Sequence, residues 1–443
     1  MMTSTSKTTR PNPAPPRPAA GRCGCHRPAS WPLLQAQQLF TLLTAVTISL
    51  ASVLVSRAAE NETRRFDFGG AQTVPGFTPV SPGFAYSAQR GYGFDLDSTV
   101  TPGGRPFFFS VALPEGNYRV TVILGDAAGS TTNTVKAESR RLMLEDVRTA
   151  PGTFSTNTFT VNIRTPRFPG GAVKLKTREH DYLHWDDKLT LEFNGARPAL
   201  AALEITRVTN AVTVYLAGDS TVTDQPLEPW NSWGQMLPRF FEANVAVANH
   251  AESGESIKSS IGARRFEKIF STIRPGDYLF LQFGHNDMKD RAPDALATYR
   301  SNLTHLVLTA RRAGATPVLL TSMERKAGVE RDTLGDYPKT AREVARTNGV
   351  ALIDLHAMSR ALYRGLGPER LGAAFQDGTH HNNFGSYELA RCVVEGIRTS
   401  ELPLKKFLAS DVMPFNPARP DAPEQFKIPA SPQRDPAAKP DGN

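Results

Sequence analysis

From Val212 onward the chain alternates short apolar runs with stretches of helical spacing, and this alternation constrains the fold more than any other feature. The runs are Val212–Leu216, Val245–Asn249, Tyr278–Phe283, Pro317–Thr321 and Ala351–Asp354. Helical spacing is clearest at Tyr299–Ala313 and Thr340–Asn348, and a last helix is expected over about Phe384–Thr399. Apolar strands separated by helices imply a parallel sheet covered on both faces. Such a sheet binds ligands outside the carboxyl ends of its strands. Those ends are where chemistry is to be sought.

The region before it, about 64–208, reads differently. Short β-rich runs recur at Phe107–Ala112, Tyr118–Leu124, Phe159–Ile163, Val173–Thr177, Leu189–Phe193 and Ala202–Val208, with Gly, Pro and Asn between them. Short strands punctuated by turn residues argue for an all-β sandwich. A chain of 443 residues is too long for one ordinary core. The expected organisation is therefore a leader over 1–59, a sandwich over 64–208, an α/β domain over 210–408 and a Pro-rich tail over 409–443. The tail is expected to lie along the α/β domain near Phe415 and Phe426. All the groups with catalytic potential lie beyond residue 212. Residues from about 210 onward are therefore expected to form the complete catalytic unit.

The net charge of +8 is concentrated at the N-terminus. Residues 1–59 hold six Lys/Arg and no Asp or Glu, leaving only +2 for the rest, which speaks against nucleic acid as a partner. The same residues resemble an export signal: a basic, Pro-rich start, an apolar run from Leu39 to Val55, then Ala58-Ala59 as a cleavage point. The expected location is periplasmic or extracellular. The alternative is a membrane anchor, if the leader is retained. Cys23 and Cys25 belong to the leader, so the mature chain keeps only Cys392 and has no intrachain disulfide. No His/Cys cluster has metal spacing, and neither a metal nor a cofactor is expected. Nothing in the sequence speaks to oligomeric state.

Polar groups follow the strands in a telling order. Gly218-Asp219-Ser220-Thr221 follows the first, Asn249-His250-Ala251-Glu252-Ser253-Gly254 the second, and Gly284-His285-Asn286-Asp287 the third. After the fifth, and a long excursion, comes Asp377-Gly378-Thr379-His380. Their types suit acyl transfer. Ser220 can attack a carbonyl carbon, and His380 can take its proton and return it to the leaving alcohol. Asp377, three residues before, can orient the imidazole. The Ser220 and Gly254 N–H groups and the Asn286 amide can form an oxyanion hole.

This set resembles the SGNH, or GDSL-type, hydrolases, whose four namesake residues fall here on Ser220, Gly254, Asn286 and His380. Gly218-Asp219-Ser220-Thr221, Trp233-Gly234-Gln235 and Asn249-His250-Ala251 are similar to the rhamnogalacturonan acetylesterase branch. The resemblance covers about 212–400. It implies a flavodoxin-like sheet, no metal, and removal of acetyl groups from an acetylated polysaccharide or oligosaccharide. The region before it resembles galactose-binding-like sandwiches. One departure stands out. The branch leads us to expect Gly-Arg-Ser after the second strand, and this chain has Gly254-Glu255-Ser256. An arginine there would suit an acidic polymer.

Other residues carry open readings. Trp230 and Trp233 are candidates for a sugar platform or for packing, with packing favoured for Trp233. His285 is a candidate for substrate binding or for shaping its loop. His381 competes with His380 as base, and Asp354 with Asp377 as acid. His250 is expected to pair with backbone, and Asp219 and Asp287 to hold loops. His180, Tyr182, His184 and Trp185 form either a binding cluster or a packed turn. Arg264, Arg265 and Lys268 read as a solvated helix face, with a uronate as the other possibility. Of Phe107, Phe108 and Phe109, one is expected to face solvent or the α/β domain. The leading function is a secreted carbohydrate O-acetylesterase. The alternatives are a lipase or thioesterase of the same superfamily, and a non-catalytic carbohydrate-binding protein.

Overall fold

Strict alternation along Gly116–Gly125 places Tyr118, Val120, Val122 and Leu124 on one buried face while Arg119 stays exposed. A strand patterned this way needs a second apolar surface opposite it. A computed structural model, which describes residues 63–69, 75–98 and 104–441, provides that surface as a second sheet. The first sheet runs Thr78–Pro79, Thr63–Asp67, Leu200–Val208, Gly116–Gly125, Phe154–Ile163, antiparallel except where its two shortest strands pair. The second runs Tyr92–Asp95, Phe107–Ala112, Lys188–Arg197, Thr131–Ala137, Arg141–Thr149, antiparallel throughout. Between them lies an aromatic core in which Phe109 meets Phe66, Phe68 and Phe94 edge to face at 4.9–5.5 Å. Phe107 and Phe109 point into that core. Phe108 takes the other face but is buried as well, so none of the three reaches solvent. Val173–Thr177 forms no strand. It is an extended connection that runs into a short 3₁₀ turn, Thr177–Asp181.

The later region is a five-stranded, wholly parallel sheet. Its order is Val245–Asn249, Val212–Gly218, Tyr278–Gln282, Thr316–Leu320, Ala351–Ile353. This is the 2-1-3-4-5 order of flavodoxin-like folds. Helices Arg265–Thr272, Ala295–Arg312 and Tyr337–Asn348 bury one face, and Leu355–Leu371 and Asn383–Thr399 the other. Helix starts are fixed by side chains. Ser256, Asp354 and Asn382 each accept a first-turn N–H, which satisfies a donor the helix cannot satisfy itself. Cys392 is buried in the last helix as a free thiol.

The described residues fall within one compact unit. The seam between sandwich and parallel sheet is built from ion pairs. Arg141 reaches Asp224 at 2.6 Å, Arg140 reaches Glu228 at 2.5 Å, Arg265 reaches Glu179 at 2.6 Å and Lys268 reaches Glu115 at 2.6 Å. Leu142, in a sandwich strand, packs into the core of the α/β layer. Arg265 and Lys268 are therefore not a solvated face, as their spacing suggests. Arg264 is partly open: it pairs with Glu267 at 2.6 Å while its guanidinium lies over the Phe168 ring. A chain starting near residue 210 would leave the buried Asp224, Glu228 and Arg265 without these partners.

The tail is extended, as expected, and covers more than the α/β layer. Phe415 lies under the Arg391 guanidinium, and Phe426 packs on Phe384 and Tyr387. The chain then crosses the sandwich, where Lys136 donates to Pro429 O at 2.8 Å and Ser431 Oγ donates to Glu192 at 2.6 Å. It returns to pair with Glu228 through Gln433 O and the Asp435 N–H. Residues 1–59, with Cys23, Cys25 and the cleavage point, lie outside the described residues. Among the described residues no helix is long and apolar enough to cross a membrane.

Candidate active site

The first strand ends at Gly218, and the chain turns at once. A side chain at Gly218 would meet Val222 at 2.5 Å and Gln282 O at 2.8 Å, so only glycine permits the turn. Asp219 braces it. Its Oδ1 accepts from the Thr221 N–H and hydroxyl, and its Oδ2 lies 3.2 Å from His285 Nδ1. Thr221 in turn accepts from Gln282, whose Oε1 takes the Trp233 indole N–H at 2.7 Å. Ser220 is thus presented from a fully hydrogen-bonded loop.

Asp377 organises the last loop. Its Oδ1 accepts from the Thr379 and His380 N–H groups, each at 2.7 Å, and its Oδ2 lies 2.8 Å from His380 Nδ1. With Nδ1 held as donor, His380 Nε2 is left as acceptor, and Ser220 Oγ lies 2.8 Å from it. Burial raises the Asp377 carboxyl, but the His380 hydrogen bond and charge outweigh it and hold it well below the usual carboxylate range. A carboxylate so held stays ionised beside the His380 imidazole. Ser220 and His380 are only 3% and 1% exposed.

The oxyanion candidates lie on neighbouring loops. Gly254 has a left-handed φ of +80°, a conformation that favours glycine. Asn286 donates one amide hydrogen to Glu255 O at 3.0 Å, which ties it to the loop carrying Gly254. A primary amide has a second hydrogen to offer. Ser253 Oγ and Ser220 O share the Gln225 amide, at 3.3 and 2.7 Å, so the first two loops are fastened to each other. Asp287 accepts the Ile257 N–H, and burial pushes its carboxyl up to about 7.

The competing readings separate cleanly. His381 is turned inward, with Nε2 3.0 Å from the Tyr363 hydroxyl, and burial, with His380 beside it, pushes its imidazole down to about 3. Asp354 pairs with Arg342 at 2.9 Å and caps a helix, away from either histidine. Trp230 and His285 are both buried. Trp230 is 6% exposed and stands perpendicular to the His380 ring at 5.9 Å. His285 commits one nitrogen to Asp219 and the other to Met323 O at 2.9 Å. Trp233 is packed within the core. His250 lies against Tyr215 and Trp185 and finds no backbone partner for its Nδ1. His184 and Trp185 are a packed turn, bonded to Ser139 and Glu179.

Several residues at this site are invisible to strand-end reasoning. Arg140, at the tip of a sandwich hairpin, donates to the carbonyls of Gln225 and Trp230 at 3.1 and 2.9 Å and to Asn383 at 3.2 Å. It holds the loop that carries Trp230 against His380. Lys176 and Arg178, also from the sandwich, reach Glu255 at 3.2 Å and Glu252 at 2.5 Å. Away from the site, Glu324, Asp332 and His356 bring ligand-capable atoms within 4.8 Å of one another. Glu324 already accepts from Thr333 and the Arg325 N–H, with His356 at 3.2 Å and Arg360 at 3.9 Å. A carboxylate satisfied by the chain's own donors, with a guanidinium beside it, does not suit a cation.

The profile of the GDSL-like Lipase/Acylhydrolase family matches residues 216–386. Over 220 residues the chain is 40% identical to rhamnogalacturonan acetylesterase RhgT of Bacillus subtilis, covering 45% of this chain and 95% of that protein. Over 374 residues it is 28% identical to the uncharacterized esterase YxiM of Bacillus subtilis, covering 77% of this chain and 92% of that protein. A crystal structure of YxiM aligns at a TM-score of 0.43 and 26% identity, covering 76% of this chain and 98% of that one.

Proposed function

Because the chain belongs to the GDSL-like lipase/acylhydrolase family and is an esterase of that kind, we propose that it is an exported enzyme that removes O-acetyl groups from a plant-type, rhamnogalacturonan- or pectin-like polysaccharide. The observation that carries the chemistry is the continuous relay from Ser220 Oγ through His380 to Asp377, with both contacts at 2.8 Å. The relatives named as rhamnogalacturonan acetylesterases support the substrate class, at 40% and 25% identity. The basic and then apolar segment over 1–59 supports export.

In this reading Ser220 Oγ attacks the acetyl carbonyl carbon as its proton passes to His380 Nε2. The carbonyl oxygen gains negative charge and is received by the N–H groups of Ser220 and Gly254 and the free amide hydrogen of Asn286. The tetrahedral adduct collapses, and the C–O bond to the sugar breaks. The sugar oxygen takes the proton from His380, which leaves acetyl-Ser220. Water then attacks with His380 again as base, and acetate leaves as Ser220 recovers its proton. Asp377 keeps its charge throughout and stabilises the imidazolium.

The test is acetate release from acetylated pectin, xylan and mannan fractions, alongside acetyl and octanoyl p-nitrophenyl esters. Preference for the acetyl ester, with most acetate coming from pectin, is the expected result. Preference for octanoyl would instead indicate a lipase or thioesterase, and no hydrolysis of either ester a binding protein. N-terminal sequencing of exported protein should begin after Ala59. Membrane-bound protein with an intact leader would overturn the export reading.

A further inference from the structure

The turn Lys176–Asp181 belongs to the sandwich, yet it closes one side of the catalytic mouth. Lys176 Nζ donates to Ser253 O, and Arg178 Nη2 donates to the same carbonyl at 3.1 Å. Ser253 is the neighbour of Gly254 and is tied through Gln225 to Ser220. Two cations from another layer of the protein therefore sit on the loop that carries an oxyanion donor. Burial, with Glu179 nearby, pushes the Glu252 carboxyl up, and Glu252 is the buried partner of Arg178 at 2.5 Å.

Lys176 is paired with Glu255 at 3.2 Å, and Arg178 meets a second carboxylate from the far end of the chain. Arg178 Nη1 donates to the Asp441 carboxylate. A side chain on Gly254 would lie 2.9 Å from Asp441 Cβ and 3.4 Å from Lys176 Nζ. Two residues earlier, Lys439 Nζ lies 3.6 Å from Asp377 Oδ2. The end of the tail thus spans the mouth from the triad acid to Gly254. Its firm attachment is upstream, where Gln433 and Asp435 pair with Glu228. Beyond that point its ion pairs are half open to water: Arg178 is 33% exposed and Asp441 53%. Exposed pairs of this kind exchange readily, unlike the buried pairs of the seam.

We propose that Arg178 and Lys176 form a carboxylate-binding subsite of the active site, occupied in this structure by the chain's own Asp441 and taken during turnover by a uronic-acid residue of the acetylated substrate. The inference rests on the carbohydrate esterase reading above. It makes the sandwich a direct contributor to substrate choice and makes the tail a competing, substrate-like ligand. It also places positive charge beside Glu255, where the sequence by itself shows only an acid.

The test compares acetylated galacturonic-acid oligosaccharides with the same compounds methyl-esterified at their carboxylates. For the wild-type protein, methyl esterification should lower kcat/KM about ten-fold, the scale of one charge-assisted hydrogen bond. Arg178→Gln should lower kcat/KM on the acidic form by about the same factor and abolish the difference between the two forms. A chain ending at Pro436 should show a KM for the acidic form several-fold below wild type. Equal handling of the two forms by wild type would overturn the subsite, and that arm needs no variant to fold. A difference that persists at full size in Arg178→Gln would also overturn it, because a merely structural role would move both forms together. An unchanged KM after truncation would overturn the role of Asp441. If p-nitrophenyl acetate is cleaved but neither oligosaccharide is, the functional reading itself fails instead.

Discussion

The carboxyl edge of the parallel sheet and the facing surface of the sandwich contribute opposite things to one site. The sheet edge supplies the two groups that would exchange a proton or a bond with an ester, Ser220 and His380, and those that would orient or stabilise them, Asp377, Gly254 and Asn286. The sandwich supplies none of these, but it provides Arg140, Arg141, Lys176 and Arg178, which hold or line the loops between them. The edge groups are held by hydrogen bonds within their loops and between them. Of the sandwich groups, Arg140 and Arg141 act across the seam through buried charge, whereas Lys176 and Arg178 are about a third exposed. Changes at the edge should therefore cost rate and spare the fold. Changes at the buried sandwich charges Arg140 and Arg141 should cost the fold first.

The largest effect expected is at the edge. Ser220→Ala should lower ester hydrolysis about ten-thousand-fold or more, with a melting temperature close to wild type. Retention of most activity in stopped assays would break the assignment. Asn286→Ala should reduce kcat about 100- to 1,000-fold while KM changes little, because an oxyanion exists only after attack. A pure KM effect would move Asn286 to substrate binding.

On the sandwich side, Arg140→Ala leaves Glu228 buried without its 2.5 Å partner. The expected cost is about 3–5 kcal/mol in denaturant unfolding. The exposed pair Arg148–Asp146, at 2.8 Å on the same sheet, is its control. Arg148→Ala should leave the transition where it is. Equal effects from the two would remove the distinction between seam and surface.

The smallest effect is a slope. Burial pushes the Glu138 carboxyl up to about 8, against 4.5 for a free side chain. Between those values the folded chain holds a proton that the unfolded chain has released, so this group makes stability fall as pH rises through the window. The slope from one such group is at most about 1.4 kcal/mol per pH unit. Glu138→Gln should flatten the fall in stability from pH 5 to 8. An unchanged slope would mean that the group is not buried as a neutral acid.

The sequence made the edge legible for a physical reason. Ligand sites in open parallel sheets lie beyond strand ends, so Ser220, Asn286 and the Asp377–His380 turn could be found by looking there. The strands themselves are continuous apolar runs, and Val245–Asn249 is observed over the residues its pattern marks. The helix Leu355–Leu371 was hidden because Gly365, Gly367 and Pro368 interrupt its pattern. The sandwich contributions had no local signal. Arg140 and Arg178 sit in a β region far along the chain from the loops they hold, and single charges in turns look solvated. Arg265 and Lys268 show why: helical spacing marks a polar face, but it does not distinguish a face turned to water from one turned to Glu179 and Glu115. The tail was read as draped over the α/β layer, and its crossing to Lys136 and Arg178 depended on tertiary structure alone.

The most direct measurement is calorimetric unfolding of the protein, with residual esterase activity followed on the same samples. Because buried ion pairs and Leu142 join the two regions, the account predicts one transition in which both melt together and activity is lost with it. Two separated transitions, with activity surviving the first while the sandwich has already unfolded, would contradict it.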